Sequence, residues 1–169
     1  MIGAFILSAF SLGQIMSAHV ITPTPRELEM LDEVNYVRTN PVEYAKFIPE
    51  FTAVWGEEDV AAELKSILLK MTPVNKLKWS PTLYHDAFTH GNKIKNTNKF
   101  EHSDYDWAEN LVCGLSTVRF AVLDLLIDAG TESRGHRRNI LDPEHTEFAS
   151  FEVDGKIQDC PYVFVQEFN

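Results

Sequence analysis

Basic side chains are scarce in this sequence of 169 residues, which has 15 Lys and Arg against 25 Asp and Glu and a formal net charge of -10. Nucleic-acid binding relies on clustered basic side chains that neutralise phosphates, and binding to an anionic membrane surface needs the same charge. The composition therefore argues against both kinds of partner. A divalent cation or another cationic ligand would instead be attracted by the overall negative field.

Long apolar runs are also lacking, because the run within Met1 to Ala18 is too short to span a bilayer. It ends in small residues and is typical of a secretory signal peptide, with a buried N-terminal strand or helix as the alternative. We interpret residues 19–25 as a Pro/Thr linker and residues 26–169 as one domain, since 44% hydrophobic residues suffice for a core. We therefore expect a secreted, extracellular protein without a transmembrane segment.

Cysteine is limited to Cys113 and Cys160. In a secreted protein the two could form a disulfide, which would stabilise the fold by roughly 4 kcal/mol through chain entropy. Two buried free thiols are the alternative, because the sequence does not show whether the two approach each other. Neither a His-Glu-x-x-His helix nor a Gly-x-Ser-x-Gly nucleophile elbow occurs, so two common hydrolase signatures are absent.

Helix start signals recur along the chain and precede a pair of strands. The predicted helices start at Thr24-Pro25, at Asn40-Pro41 (ending before Pro49), at Glu57, at Ser80-Pro81 and at Ser116-Thr117 (ending near Gly130). Residues 109–114 predict a short strand or turn, and residues 148–153 and 162–168 predict two strands joined by a tight Asp154-Gly155 hairpin turn. Helices followed by a hairpin favour an α+β fold in which helices pack on a small sheet.

Two stretches place a histidine beside polar or carboxylate side chains, and they are the strongest candidates for a functional site. They are Glu101-His102-Ser103 running on to Glu109-Asn110-Leu111, and Gly135-His136-Arg137-Arg138-Asn139-Ile140-Leu141. Two histidines and a carboxylate in one cleft could hold a divalent metal or activate a water. His85 and His90 are five residues apart, do not share a helical face, and are interpreted as ordinary surface or packing residues.

The same stretches, together with two earlier ones, resemble in order the motifs of the CAP superfamily (SCP/PR-1-like). The earlier ones are Asn35-Tyr36-Val37-Arg38 and Leu77-Lys78-Trp79-Ser80-Pro81-Thr82-Leu83. This superfamily includes cysteine-rich secretory proteins, insect antigen 5 and plant pathogenesis-related 1 proteins, and the Gly135 to Leu141 stretch is similar to its short microbial members. The resemblance covers residues 27–168 and implies a three-layer α-β-α sandwich with a small antiparallel sheet and a central cleft.

The resemblance also implies a cleft tetrad of two histidines and two acidic residues. His102, Glu109 and His136 match three of them. The fourth normally follows a tryptophan in a Trp-x-x-Glu step, which here reads Leu125-Leu126-Ile127-Asp128, so Asp128 is the candidate. Asp124 and Glu132 are the alternatives. His102 and His136 would be the ligands of zinc or another divalent cation, with Ser103, Asn110 and Asn139 as supporting residues.

For function, the resemblance implies a non-enzymatic binding module that takes a cation and a sterol, lipid or extracellular protein ligand. No residue is assigned a catalytic role on this interpretation. An extracellular hydrolase, either metal-assisted or dependent on Ser103, is the alternative. A purely structural role with an unused cleft is a third hypothesis, and the sequence does not determine the oligomeric state.

Overall fold

The computed structural model describes residues 21–115 and 117–169. The predicted signal peptide, Met1 to Ala18, lies outside the described residues, as does Ser116. The helices are α1 (Pro25–Thr39), α2 (Pro41–Tyr44), α3 (Ile48–Trp55), α4 (Glu58–Leu68), α5 (Pro81–Thr97), α6 (Val118–Ile127) and α7 (Gly135–Leu141). The strands are β1 (Lys78–Trp79), β2 (Ala108–Cys113), β3 (Glu147–Val153) and β4 (Val163–Phe168).

Helix α1 begins where its capping signal predicts. The Thr24 hydroxyl accepts a hydrogen bond from the Glu27 amide at 3.2 Å, and the Glu27 carboxylate accepts one from the Thr24 amide at 2.7 Å. These two bonds satisfy amides that an uncapped helix leaves without partners. Thr117 caps α6 in the same manner through the Phe120 amide.

The helix predicted from Asn40-Pro41 ends before Pro49, as expected, but the helix that follows it directly was not predicted. A 3-10 turn at Ala45–Phe47 leads directly into α3, and Pro49 lies in the first turn of that helix. Proline lacks only an amide hydrogen, and first-turn amides have no partner within the helix, so proline is tolerated there.

The four described strands form one mixed sheet in the order β1-β3-β4-β2. β4 pairs antiparallel with both β3 and β2, whereas the short β1 pairs parallel with β3. The α+β class is confirmed, but the sheet is mixed rather than wholly antiparallel because β1 runs parallel to β3. All six residues of β4 are buried, as expected for a strand covered on both faces.

Helices cover both faces of this sheet and so form three layers. On one face, side chains of Phe148, Phe164 and Phe168 join a large apolar core with α1, α6 and α7. On the other face, α5 packs against strand residues such as Val163 and Val165. Because successive strand residues point to opposite faces, neighbouring residues of β4 contribute to different cores.

The connection between β3 and β4 differs from the predicted tight turn. β3 ends at Val153 and β4 begins at Val163, and the segment between them contains a bridge between Ile157 and Cys160. Cys160 is joined by a disulfide to Cys113 at the end of β2, which confirms the pairing that the sequence left open. Within the described residues, no helix is long and apolar enough to cross a membrane.

Candidate functional site

His102 and Glu109 lie next to each other at the start of β2. His102 is in the loop that precedes the strand, and its Nδ1 is 2.6 Å from Oε1 of Glu109. The same oxygen accepts a hydrogen bond from the Ser103 amide at 3.1 Å. The His102 side chain is 60% exposed whereas that of Glu109 is 5% exposed, so a buried carboxylate orients an imidazole that faces solvent.

Asp128 and His136 form a matching pair at the junction of α6 and α7. Asp128 ends α6 in the left-handed conformation, with φ of 53°, which turns its side chain back toward the start of α7. Its Oδ1 is 2.8 Å from Nδ1 of His136, and its Oδ2 accepts the His136 amide hydrogen at 3.0 Å. The alternative Glu132 is exposed and makes no such bond within the described part of the chain.

Buried Arg137 holds the two helices in this arrangement. It donates to the backbone oxygens of Leu126 and Ile127 at 2.5 and 2.9 Å, and to the Glu63 carboxylate at 2.6 Å. These carbonyls belong to the last turn of α6, where helical partners are missing. The guanidinium therefore satisfies the end of α6 while keeping His136 beside Asp128.

The two imidazoles face each other across the cleft with ring centroids 6.4 Å apart and planes 28° from parallel. Each Nδ1 is engaged by a carboxylate, and in the described residues neither Nε2 has a hydrogen-bond partner. A carboxylate on one ring nitrogen fixes the tautomer that leaves the other nitrogen free for a metal. The described residues contain no group of three or more His, Cys, Asp or Glu that could hold a metal ion. The two Nε2 atoms are the ring nitrogens of these pairs that remain available to a ligand.

Asn110 and Asn139 connect the two halves of the cleft. The Asn139 amide donates to Oδ1 of Asn110 at 2.9 Å, and the Asn110 amide donates to the backbone oxygen of His136 at 3.3 Å. Asn110 also donates to Gln166 in β4 at 3.1 Å. These bonds join α7 to the sheet.

Ser103 does not form a nucleophile pair with either histidine. Its hydroxyl accepts the Tyr105 amide hydrogen at 3.4 Å, and in the described chain it makes no hydrogen bond to an imidazole. Its link to the site is the backbone amide that supports Glu109. A serine-dependent hydrolase would need the hydroxyl within reach of a base.

Two buried residues behind the cleft were not found by sequence reasoning. His90 is 2% exposed, and its Nε2 lies 3.4 Å from Oε2 of Glu109 and 3.0 Å from the backbone oxygen of Glu101. Glu167 is fully buried in β4, directly opposite Glu109 in β2. Burial and the neighbouring Glu109 raise the pKa of Glu167 to about 9. Neither His90 nor Glu167 belongs to a sequence motif. Their one sequence signal is that each is a polar residue within a segment that forms a buried helix face or a buried strand.

A cavity of about 370 Å³ opens beside His136 and Asp128, between the end of β2 and helices α3 and α6. Asp124, the other alternative for the tetrad, lines this cavity and does not bond to His136. Asp124 is exposed to solvent, although neighbouring protein atoms displace part of the hydration of its carboxyl group. This desolvation, with smaller contributions from Asp128 and Glu57 opposed by His136, raises the pKa of Asp124 to about 6.

Comparisons with known proteins agree with this architecture. Residues 31–168 match the model of the CAP family, described as the cysteine-rich secretory protein family. The crystal structure of hookworm platelet inhibitor is similar with a TM-score of 0.51 and 12% identity, over 90% of this chain and 75% of that chain. At this identity the likeness shows the fold alone. Among curated proteins, none matches the chain.

Proposed function

Because the chain belongs to the CAP, or cysteine-rich secretory protein, family, we propose that it is a secreted, non-enzymatic binding protein that takes a divalent cation between His102 and His136. The observation that carries the proposal is the orientation of the two imidazoles. Their rings stack with centroids 6.4 Å apart, each Nδ1 is bonded to a buried carboxylate, and neither Nε2 has a hydrogen-bond partner among the described residues. The net charge of -10 adds a field that favours cations over anions.

Zinc is the cation whose chemistry fits this donor set best. Neutral imidazole is a common zinc ligand, and two protein ligands leave the remaining positions to water. When bound, the ion would supply a Lewis-acidic centre at the mouth of the cleft. Glu109 and Asp128 would keep each histidine in the required tautomer and orientation, and they would not bind the ion themselves.

Calorimetric titration with zinc tests the proposal. The unaltered protein should bind one ion, and the double variant His102→Ala/His136→Ala should show no saturable heat. His85→Ala is the matched control, because the His85 side chain is 70% exposed and lies outside the cleft. Equal binding by the double variant and the unaltered protein would refute the assignment. No heat in the unaltered protein at concentrations able to detect micromolar affinity would refute cation binding altogether.

An apolar ligand, such as a sterol or lipid, is the second candidate, and one observation favours it. A groove of about 430 Å³ is lined mainly by apolar atoms of Ile21, Pro23, Trp79, Pro81 and Tyr84. Such grooves suit ligands that bury hydrocarbon surface. An extracellular protein partner is a prediction that no contact in the structure addresses.

A further inference from the structure

The cavity beside the tetrad is lined by aromatic and acidic side chains that have no role in the proposed cation site. It contains three aromatic rings, Phe51, Trp55 and Phe100, and its volume of about 370 Å³ lies within the range of small-molecule sites. Trp55 has the largest side chain of the residues that line the cavity, yet it is 52% exposed. Its ring stacks on Phe51 with centroids 6.3 Å apart. A large ring held at an open cavity is available to a ligand.

Acidic side chains line the cavity, and its other polar lining residues are Thr131 and His136. Glu57, Asp124 and Asp128 line it, and no Lys or Arg of the described chain does. Asp128 is already bonded to His136, whereas the Asp124 carboxylate has no hydrogen bond or ion pair with any residue that the structure describes. Glu57 lies at the turn between α3 and α4 in a left-handed conformation, with φ of 66°. Asp124 and Glu57 therefore line the space without a hydrogen bond or ion pair from a side chain of the described residues.

Aromatic faces and carboxylates attract the same kind of ligand. The face of an aromatic ring carries partial negative charge and attracts cations, most strongly when water is excluded. An unpaired carboxylate in a partly desolvated site gains more from a cation than one in bulk water. An anionic ligand would be repelled by both features. A neutral apolar ligand would use the rings but would leave the carboxylates without a partner.

We propose that this cavity binds a small organic amine, with the ammonium group at Asp124 and an aromatic or short apolar body against Trp55 and Phe51. The site adjoins the two-histidine cleft but uses neither free imidazole nitrogen. It therefore does not rest on metal binding, and the two proposals fail or succeed separately. Because both ligands are cations in neighbouring sites, each should weaken the binding of the other.

Three ligands with the same phenyl ring but different polar groups distinguish the contribution of charge to binding from that of shape. Phenethylamine, 2-phenylethanol and phenylacetate would each be titrated into the protein by calorimetry, with tryptophan fluorescence as a second readout. Phenethylamine should bind one-to-one and quench fluorescence, 2-phenylethanol should bind at least about tenfold more weakly, and phenylacetate should not bind. A tenfold change corresponds to about 1.4 kcal/mol.

Two charge-neutralising variants and one control locate the site. Asp124→Asn keeps the side-chain shape and should weaken phenethylamine binding about tenfold or more while changing zinc affinity much less. Glu57→Gln at the exposed rim should weaken it less, and it provides a second measurement if Asp124→Asn does not fold. Asp32→Asn removes one exposed carboxylate from α1 and should leave both ligands unaffected.

The proposal is overturned by any of three results. They are the absence of phenethylamine binding at millimolar concentration, equal affinity for the amine and the alcohol, and unchanged amine affinity in both Asp124→Asn and Glu57→Gln. Amine binding that persists in the His102→Ala/His136→Ala protein, which has lost zinc, would support a site distinct from the metal ligands.

Discussion

At the scale of single residues, the most unusual feature is the carboxyl group of Glu167 in the middle of the sheet. Neither of its oxygens receives a hydrogen bond from a described residue, and it lies opposite Glu109 in the β2–β4 register. Burial, followed by the charge of Glu109, raises the pKa of Glu167 to about 9. At neutral pH the group is therefore protonated and uncharged beside Glu109, the residue that orients His102.

Because Glu167 is protonated in the folded state, the free energy of unfolding depends on pH. Because the folded-state pKa is raised above the value in the unfolded chain, the folded state holds more protons between the two values. The contribution to stability is complete below about pH 4.5, the usual carboxyl value, and is lost as pH rises through about 9. Glu167→Gln keeps the shape but cannot ionise, so urea unfolding between pH 5 and pH 9 should show a smaller loss of stability than in the unaltered protein.

Glu29→Gln is the control for this comparison, because Glu29 is exposed on α1. It should follow the unaltered protein at every pH. Identical pH profiles for Glu167→Gln and the unaltered protein would show that Glu167 does not carry the buried proton.

The residues of the tetrad could be predicted because their motifs occur at characteristic spacings, and the structure brings His102, Glu109, Asp128 and His136 together in two bonded pairs. Glu167 could not be predicted in the same way. Its importance arises from strand pairing, which sets it opposite a residue 58 positions earlier in the chain. The sequence alone does not specify that register.

At the scale of elements, the close packing of α5 on β3 depends on one glycine. A Cβ atom added at Gly91 would lie 2.4 Å from the Phe151 ring, which is nearer than real contacts permit. Gly91→Ala should therefore destabilise the fold, because overpacking costs roughly 1–3 kcal/mol. The gain in helix propensity offsets about 1 kcal/mol of this cost. We expect a net loss of up to about 2 kcal/mol in urea unfolding.

Gly130→Ala is the matched control for Gly91→Ala. Gly130 lies just beyond α6, and an added Cβ atom there would meet nothing within 4 Å. Gly130→Ala should be neutral or stabilising by roughly 0.4–1 kcal/mol, because it restricts the unfolded chain. A Gly91→Ala protein as stable as Gly130→Ala would show that α5 moves away from the sheet at little cost.

Helix starts could be predicted from local signals, and the side chains of Thr24 and Thr117 make the capping bonds. Helices also begin after Asn40 and Ser80, but those side chains make no capping bond. The errors occur where a local signal permits two outcomes. Pro49 is compatible with the end of one helix or the first turn of the next, and the structure has the latter. Asp154-Gly155 permits a tight hairpin turn, but the disulfide from Cys160 to Cys113 lies within a longer connection. In both cases tertiary contacts, which the local sequence does not encode, select the outcome.

At the scale of the whole molecule, buried charged side chains join segments that are distant in sequence. Glu27 at the start of α1 accepts hydrogen bonds from Tyr84 in α5 and from the Glu152 amide in β3, both at 2.9 Å. Arg38, near the other end of α1, is fully buried. It donates hydrogen bonds to backbone oxygens in the segment before β1 and at the end of α7. Such groups are costly to bury alone, so their value depends on complete pairing.

Substitution of Arg38 tests directly whether a buried charged side chain stabilises the fold through its hydrogen bonds. Arg38 donates to the backbone oxygens of Asn75, Ile140 and Asp142 at 2.8–2.9 Å, and so connects α1, the segment before β1 and the end of α7. Burial lowers the pKa of Arg38, and the charge of Asp142 partly opposes that shift. Arg38→Met would fill much of the space but leave these carbonyls without a donor. An unsatisfied buried group costs about 1–3 kcal/mol, so we expect a loss of at least about 3 kcal/mol in urea unfolding.

Arg138→Met is the matched control, since Arg138 is exposed on α7 and donates to one backbone oxygen, that of Ser133. It should cost less than about 1 kcal/mol. Arg38→Lys should be intermediate, because one ammonium group cannot reach acceptors that a planar guanidinium contacts from several sides. If Arg38→Met were as stable as Arg138→Met, hydrophobic packing alone would hold α1 to α7. The buried arginine would then be dispensable to the three-layer arrangement that positions His136.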